Sequence, residues 1–166
     1  MQQLTPAMCA NTEEFSISNK TYTFTDTRNS GAYSYNIRKL KDGNCWMVSN
    51  LRLQGGTTIT NQDSNISAAT YTLPASSTTG FNNNAGQFMY NGDSTTGGYY
   101  SWLTATANTG VSLTTSGAQA SSSVCPKGWR LPTGNASTGE FTILYQAYNH
   151  DSAYFDYILS TPTTDG

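Results

Sequence analysis

The groups through which this chain could do chemistry are few. Its 166 residues hold three cysteines, one histidine, ten carboxylates and eight Lys and Arg side chains. His150, the one side chain that could act as a general base near neutrality, sits in a Tyr/Asn/Asp stretch with no nucleophile at a useful spacing. No nucleophile elbow, glycine-rich phosphate loop or HExxH run occurs, so catalysis is not expected. A zinc-type site would need a CxxC or a His pair, and neither is present. Hard cations need several oxygens together, whereas Asp63 and Asp93 are isolated in the sequence. The expectation is therefore no metal and no cofactor. Cys9 and Cys45 read as a disulfide that staples the N-terminal segment to a strand, worth roughly 4 kcal/mol by loop closure. Two buried free thiols are the alternative. Cys125 is then the odd one, either paired with sequence beyond Gly166 or simply buried.

Recognition chemistry has more material. The stretch from Phe81 to Tyr100 concentrates amides and phenols, which suit contacts to sugar hydroxyls or peptide groups. Asn82, Asn83, Asn84, Tyr90, Asn91, Asp93 and Tyr100 are the ligand-binding candidates. For the Asn-rich runs a turn-forming role stays equally open. Tyr99 and Trp102 are expected in the core.

These residues need a scaffold. Thr5 and Pro6 suit the start of a short helix. Thr21-Tyr22-Thr23-Phe24-Thr25 alternates rings and hydroxyls with the period of a strand. Tyr33, Tyr35 and Ile37, then Asp42-Gly43, then Cys45 to Val48 read as a hairpin, since Asp-Gly tolerates a tight turn. The second arm is apolar at successive positions and reads as a central strand covered on both faces. From Gln54 to about Gly98 the pattern reads as a long loop region with small elements, because apolar residues appear singly. Thr109 to Ser123 reads as a surface tract. Thr138 to Tyr148 reads as a helix capped by Thr138, with Phe141, Leu144, Tyr145 and Tyr148 on one stripe. Tyr154 to Leu159 suits a second short helix. Trp46, Trp129 and Leu131 are core candidates. Arg38, Lys39 and Lys41 form a basic cluster that would keep an edge solvated.

Composition excludes several classes. Charged residues are 11% of the chain, against roughly 25% in an average soluble protein. Ser, Thr and Asn (19, 26 and 15) fill the gap with 60 of 166 residues. The net charge of -2 leaves no basic stripe for nucleic acid. No apolar run is long enough to span a membrane. The 12% aromatic content argues against disorder and for a β-rich extracellular domain.

Three blocks carry a family resemblance. Lys41-Asp42-Gly43-Asn44-Cys45-Trp46-Met47-Val48-Ser49-Asn50-Leu51, Tyr99-Tyr100-Ser101-Trp102-Leu103-Thr104-Ala105 and Cys125-Pro126-Lys127-Gly128-Trp129-Arg130-Leu131-Pro132-Thr133 occur in that order. The chain resembles the Fibrobacter succinogenes major paralogous domain family of bacterial surface proteins. Its N-terminal segment is similar to forms of the domain in episymbiotic bacteria of reduced genome. The resemblance implies an α+β, C-type-lectin-like fold: a small antiparallel sheet, one or two helices and long irregular loops. It implies one lectin-like domain over residues 1–166. The family pattern continues with a Trp-Ser-Ser-type strand and a final Cys-bearing strand, so the resemblance also implies that final strands are missing, in keeping with an unpaired Cys125.

The function expected is an extracellular, cell-surface binding or adhesion module that recognises protein or glycan through its loops. The alternative is a structural subunit of a surface layer or pilus-like filament, completed by strand addition from a second chain.

Overall fold

The computed structural model describes residues 22–28, 32–75, 89–91, 97–109, 119–134 and 138–148, with backbone alone at 22 and 89–91. These residues form a small α+β fold of antiparallel sheets and two helices. The expected helices near Thr5 and at 154–159, together with Cys9 and His150, lie outside the described residues.

Strands β1 (Tyr22–Asp26), β2 (Tyr33–Lys39) and β3 (Cys45–Met47) form a sheet in the order β1-β2-β3. Period-two alternation decides its faces. Phe24, Tyr35 and Ile37 are buried, while Thr23, Thr25, Ser34 and Asn36 are exposed. The hairpin between β2 and β3 closes as its sequence dictates. Gly43 takes φ +82° and donates to the Leu40 carbonyl at 2.9 Å, a left-handed conformation that glycine adopts without steric cost. The Asp42 carboxylate accepts from the Trp46 Nε1–H at 2.9 Å and fixes that ring over the turn.

One expectation is corrected here. The central strand is β2, and β3 lies at an edge of the described sheet. The apolar run Cys45 to Val48 has a different cause. Cys45 and Met47 pack on the core, and the Trp46 ring on the other face meets Phe141 at 5.4 Å. A helix, rather than flanking strands, covers part of that second face, and Val48 stays exposed.

The region from Gln54 onward is more ordered than its composition suggests. Strands β4 (Thr58–Thr60) and β5 (Thr70–Thr72) pair antiparallel with Ile59 opposite Tyr71. The scattered residues Leu53, Ile59, Ile66 and Leu73 join Val124 in one buried cluster. A second cluster holds Phe24, Tyr35 and Ile37, and Leu51 packs against both. The Ser/Thr/Ala tract is not entirely a surface feature, because Ser122 and Ser123 are buried. The Ser67 N–H donates to Ser122 Oγ, and Ser123 N–H donates to the Asn65 carbonyl. The chain from Ser122 to Lys127 therefore seats against residues 61–67, with a bridge between Ser64 and Pro126.

An ion pair that the sequence did not announce sits at the junction. The side chains of Arg28 and Asp26 are 0% and 1% exposed. Arg28 Nη2 donates to Asp26 Oδ2 at 2.7 Å, and Arg28 Nη1 donates to Ser64 Oγ and the Val124 carbonyl at 2.8 and 2.7 Å. One guanidinium thus ties the end of β1 to the Ser64 turn and to the Val124 segment. A buried charge is tolerated only when paired and hydrogen-bonded, and this one is both.

Helix α1 (Trp102–Ala105) is capped by Ser101, whose hydroxyl accepts from the Thr104 N–H. Helix α2 (Glu140–Ala147) starts at Gly139 rather than Thr138, and Gly139 supplies no side-chain cap. Thr133 takes over that function, its carbonyl and hydroxyl accepting from the Glu140 N–H at 3.0 and 3.2 Å, while the Glu140 carboxylate accepts from the Thr133 N–H at 2.9 Å and from both Arg130 Nη1 and Nη2. The apolar stripe on α2 is not buried as its spacing implied. Thr142 is the buried residue of the helix, while Phe141 and Tyr148 are exposed. The stripe lies against the β2–β3 turn, where Phe141 meets Trp46 and Lys41 Nζ sits 4.7 Å over the Tyr148 ring.

Candidate recognition surface

The polar excursion after Pro74 returns to the scaffold at Gly97-Gly98. Strands β6 (Met89–Asn91) and β7 (Gly98–Tyr100) pair antiparallel there, with Tyr90 opposite Tyr99 and Asn91 opposite Gly98. Both glycines are required by the contact they make. Gly97 has φ +81°, and a Cβ on it would stand 2.6 Å from Asn50 Cβ and 2.9 Å from the Leu51 carbonyl oxygen. A Cβ on Gly98 would stand 2.9 Å from the Tyr100 hydroxyl. A side chain at 97 would push β7 off the chain it rests on, and one at 98 would displace the Tyr100 ring. With glycine present, the Gly98 N–H donates to the Leu51 carbonyl at 2.9 Å.

Alternation along β7 then splits the two tyrosines. Tyr100 turns inward and packs against the larger core cluster. Its hydroxyl reaches the carbonyls of Leu53 and Leu51 at 3.1 and 3.2 Å. Burial holds its phenol well above the ordinary value, so it stays neutral and acts as a strut. Tyr99 turns outward and is 58% exposed. Trp102, on the first position of α1, is 37% exposed. The expectation that Tyr99 and Trp102 belong to the core is thus corrected. A run of aromatics suggested continuous burial, but a strand followed by a capped helix sends alternate members out.

No charged residue occurs between Gly97 and Thr109. This run contributes rings, hydroxyls and amides to the surface, with Tyr99 and Trp102 its large exposed members. Asn108, also exposed, takes the left-handed φ of 63° that ends α1. Such a surface offers stiff apolar area with hydrogen-bonding tips and attracts neither cations nor anions.

The candidates read from sequence fall as follows. Asn82, Asn83, Asn84 and Asp93 lie outside the described residues. Tyr90 and Asn91 lie on β6, in register with Tyr99 and Gly98. Tyr100 is on β7, with its hydroxyl committed to backbone carbonyls. Sequence reasoning missed Tyr99 as the outward ring and Gly97 as the anchor. The Gly-Gly pair before two tyrosines was the available signal for both.

Among the other reactive groups, Cys125 is a free thiol, and burial pushes its pKa up. Cys45 is not among the free thiols. The Asp63 carboxylate closes a turn by accepting from the Thr60 N–H and the hydroxyls of Thr60 and Ser64. Burial opposes its charge, yet these bonds prevail and hold its pKa below the ordinary carboxylate value. Among the described residues, no three His, Cys, Asp or Glu side chains come together as a metal site. No described helix is long and apolar enough to cross a membrane. Comparison with family models, curated proteins and solved structures yields no match.

Proposed function

We propose that this chain is an extracellular or cell-surface recognition module of C-type-lectin-like type, which binds a protein or glycan through the β6–β7 ribbon and the polar segments beside it. The observation that carries this reading is the division of labour on β7. Tyr100 and the two glycines fix the strand to the core, and Tyr99 is thereby held outward within an uncharged run that also exposes Trp102. Rigid exposed rings contribute contact area at low entropic cost, which is how recognition surfaces gain affinity. The blocks around Trp46, Trp102 and Trp129 that resemble the Fibrobacter major paralogous domain support the same reading. The reading also expects a disulfide between Cys9 and Cys45, which an oxidising extracellular setting would maintain. Thiol titration of the native protein then finds one reactive thiol only after unfolding.

The test is a binding screen of the protein against immobilised glycans and host or bacterial surface extracts, followed by two variants. Tyr99→Ala is expected to lose binding by about tenfold or more with unchanged stability. Tyr100→Phe is expected to keep binding and lose about 1 kcal/mol of stability, the worth of its hydroxyl bonds. Equal binding by Tyr99→Ala and wild type would overturn the reading. A second reading, a structural subunit joined by strand addition, draws on the sheet β1-β2-β3, where β1 has a neighbour on one side only among the described residues.

A further inference from the structure

The geometry points to the outer edge of β1 as a self-complementary interface, at which two copies of this chain pair their β1 strands antiparallel across a two-fold axis at Phe24. This inference narrows the strand-addition reading and does not depend on the surface around Tyr99.

The hydrogen-bond alternation of the sheet fixes which groups of β1 point outward. The Val48 N–H donates to the Asn36 carbonyl, and the Leu40 N–H donates to the Asn44 carbonyl. On β2, the even positions 36 and 40 therefore bond toward β3. The odd positions 33, 35 and 37 bond toward β1, where they face Asp26, Phe24 and Tyr22. Thr23 and Thr25 are left with their N–H and C=O groups on the far side of β1. Both residues are exposed, and among the described residues no partner engages those groups. An unpaired row of this kind is a template for another strand.

The strand fits its own copy. An antiparallel pair centred on Phe24 sets Thr23 opposite Thr25 of the second copy, and Thr25 opposite Thr23. Both are the outward-bonding positions, so each facing pair exchanges two backbone hydrogen bonds. Facing residues share a face of the sheet. Phe24 then meets Phe24 on the core side, and threonines meet threonines on the solvent side. The result is a six-stranded sheet with one continuous core layer and isologous contact.

The edge also lacks the usual protection. Tyr22–Asp26 contains no Lys and no Pro. A two-fold contact uses the same edge of both copies, so pairing through β1 gives a closed pair rather than an open filament.

Sedimentation velocity on the full chain over about 1 to 500 μM tests the proposal. The expected result is a monomer–dimer equilibrium, with the Thr23 and Thr25 amides gaining protection from hydrogen exchange as concentration rises. The variant T23K/T25K sets like charges opposite each other and is expected to weaken the dimer by about tenfold or more. Because both positions are exposed, its circular dichroism should match wild type. The exchange measurement on wild type reads the interface even without a variant. A wild-type monomer throughout the range overturns the proposal and leaves β1 for a foreign strand. Larger assemblies insensitive to T23K/T25K, or dimers whose Thr23 and Thr25 amides stay unprotected, overturn it as well.

Discussion

Replacing Arg28 by methionine should be among the most damaging single changes this chain can suffer. The substitution leaves the Asp26 carboxylate 1% exposed with no counter-charge, strips Ser64 Oγ of one of its two bonds, and orphans the Val124 carbonyl, which Arg28 now satisfies. Removing one partner of a buried ion pair costs about 3–5 kcal/mol. A domain of this size has about 5–15 kcal/mol in total, so R28M should forfeit about a fifth or more of it. R28K keeps the charge but cannot span the carboxylate, the hydroxyl and the carbonyl at once, and should cost about 2 kcal/mol. The double variant D26L/R28M removes both charges and should recover most of the loss, since a well-packed apolar pair often equals a buried ionic one. Urea denaturation followed by tryptophan fluorescence measures all three, with a constant slope showing that the denatured state is unchanged. Two outcomes would refute the reasoning: R28M within about 1 kcal/mol of wild type, or a double variant as unstable as the sum of its parts.

Three further outcomes follow from the same structure. Gly97→Ala should cost about 2 kcal/mol or more, because it adds a 2.6 Å clash to a φ of +81°; Gly56→Ala, with φ +80° and open space, should cost only about 1 kcal/mol in the same denaturation assay. The bonds from Arg130 hold the Glu140 pKa below its ordinary 4.5, so the stability it supplies is present above that value and lost as pH falls through the lowered one. Protection factors of the α2 amides, corrected for the intrinsic exchange rate, should fall on acidification, and E140Q should abolish that pH dependence. Burial pushes the Tyr35 phenol up to about 12 from 10, so its contribution is intact below pH 10 and disappears as pH rises through about 12. Phenolate absorbance should then show a buried fraction that ionises together with unfolding.

The sequence was legible where a local rule sufficed. Alternation gave β1 and β2, Asp42-Gly43 gave the hairpin, and helical spacing located α2 to within two residues of its start. It was misleading where a face was covered by something distant in the chain. The run Cys45 to Val48 looked central because both faces are partly covered, yet the second cover comes from Phe141 on α2. The stretch after Gln54 looked loop-like because Ile59, Ile66 and Leu73 are spaced too widely to announce a common cluster. Nothing local distinguishes Arg28 from a surface arginine, although charge is rare enough here that each instance deserved suspicion. The sequence did not tell which of Tyr99 and Tyr100 faces out, because that depends on how β7 rests on distant backbone, through the bond from the Gly98 N–H to the Leu51 carbonyl.

The polar stretch between Pro74 and Gly97 is moored at both ends to the same short piece of backbone. On departure, Leu73 exchanges bonds with Gly56 and Thr57; on return, the Gly98 N–H meets the Leu51 carbonyl. Residues 51–57 therefore carry both attachments, so a single disturbance of that run would loosen the exit after Leu73 and the seat of β7 together, and neither end could be reset without the other.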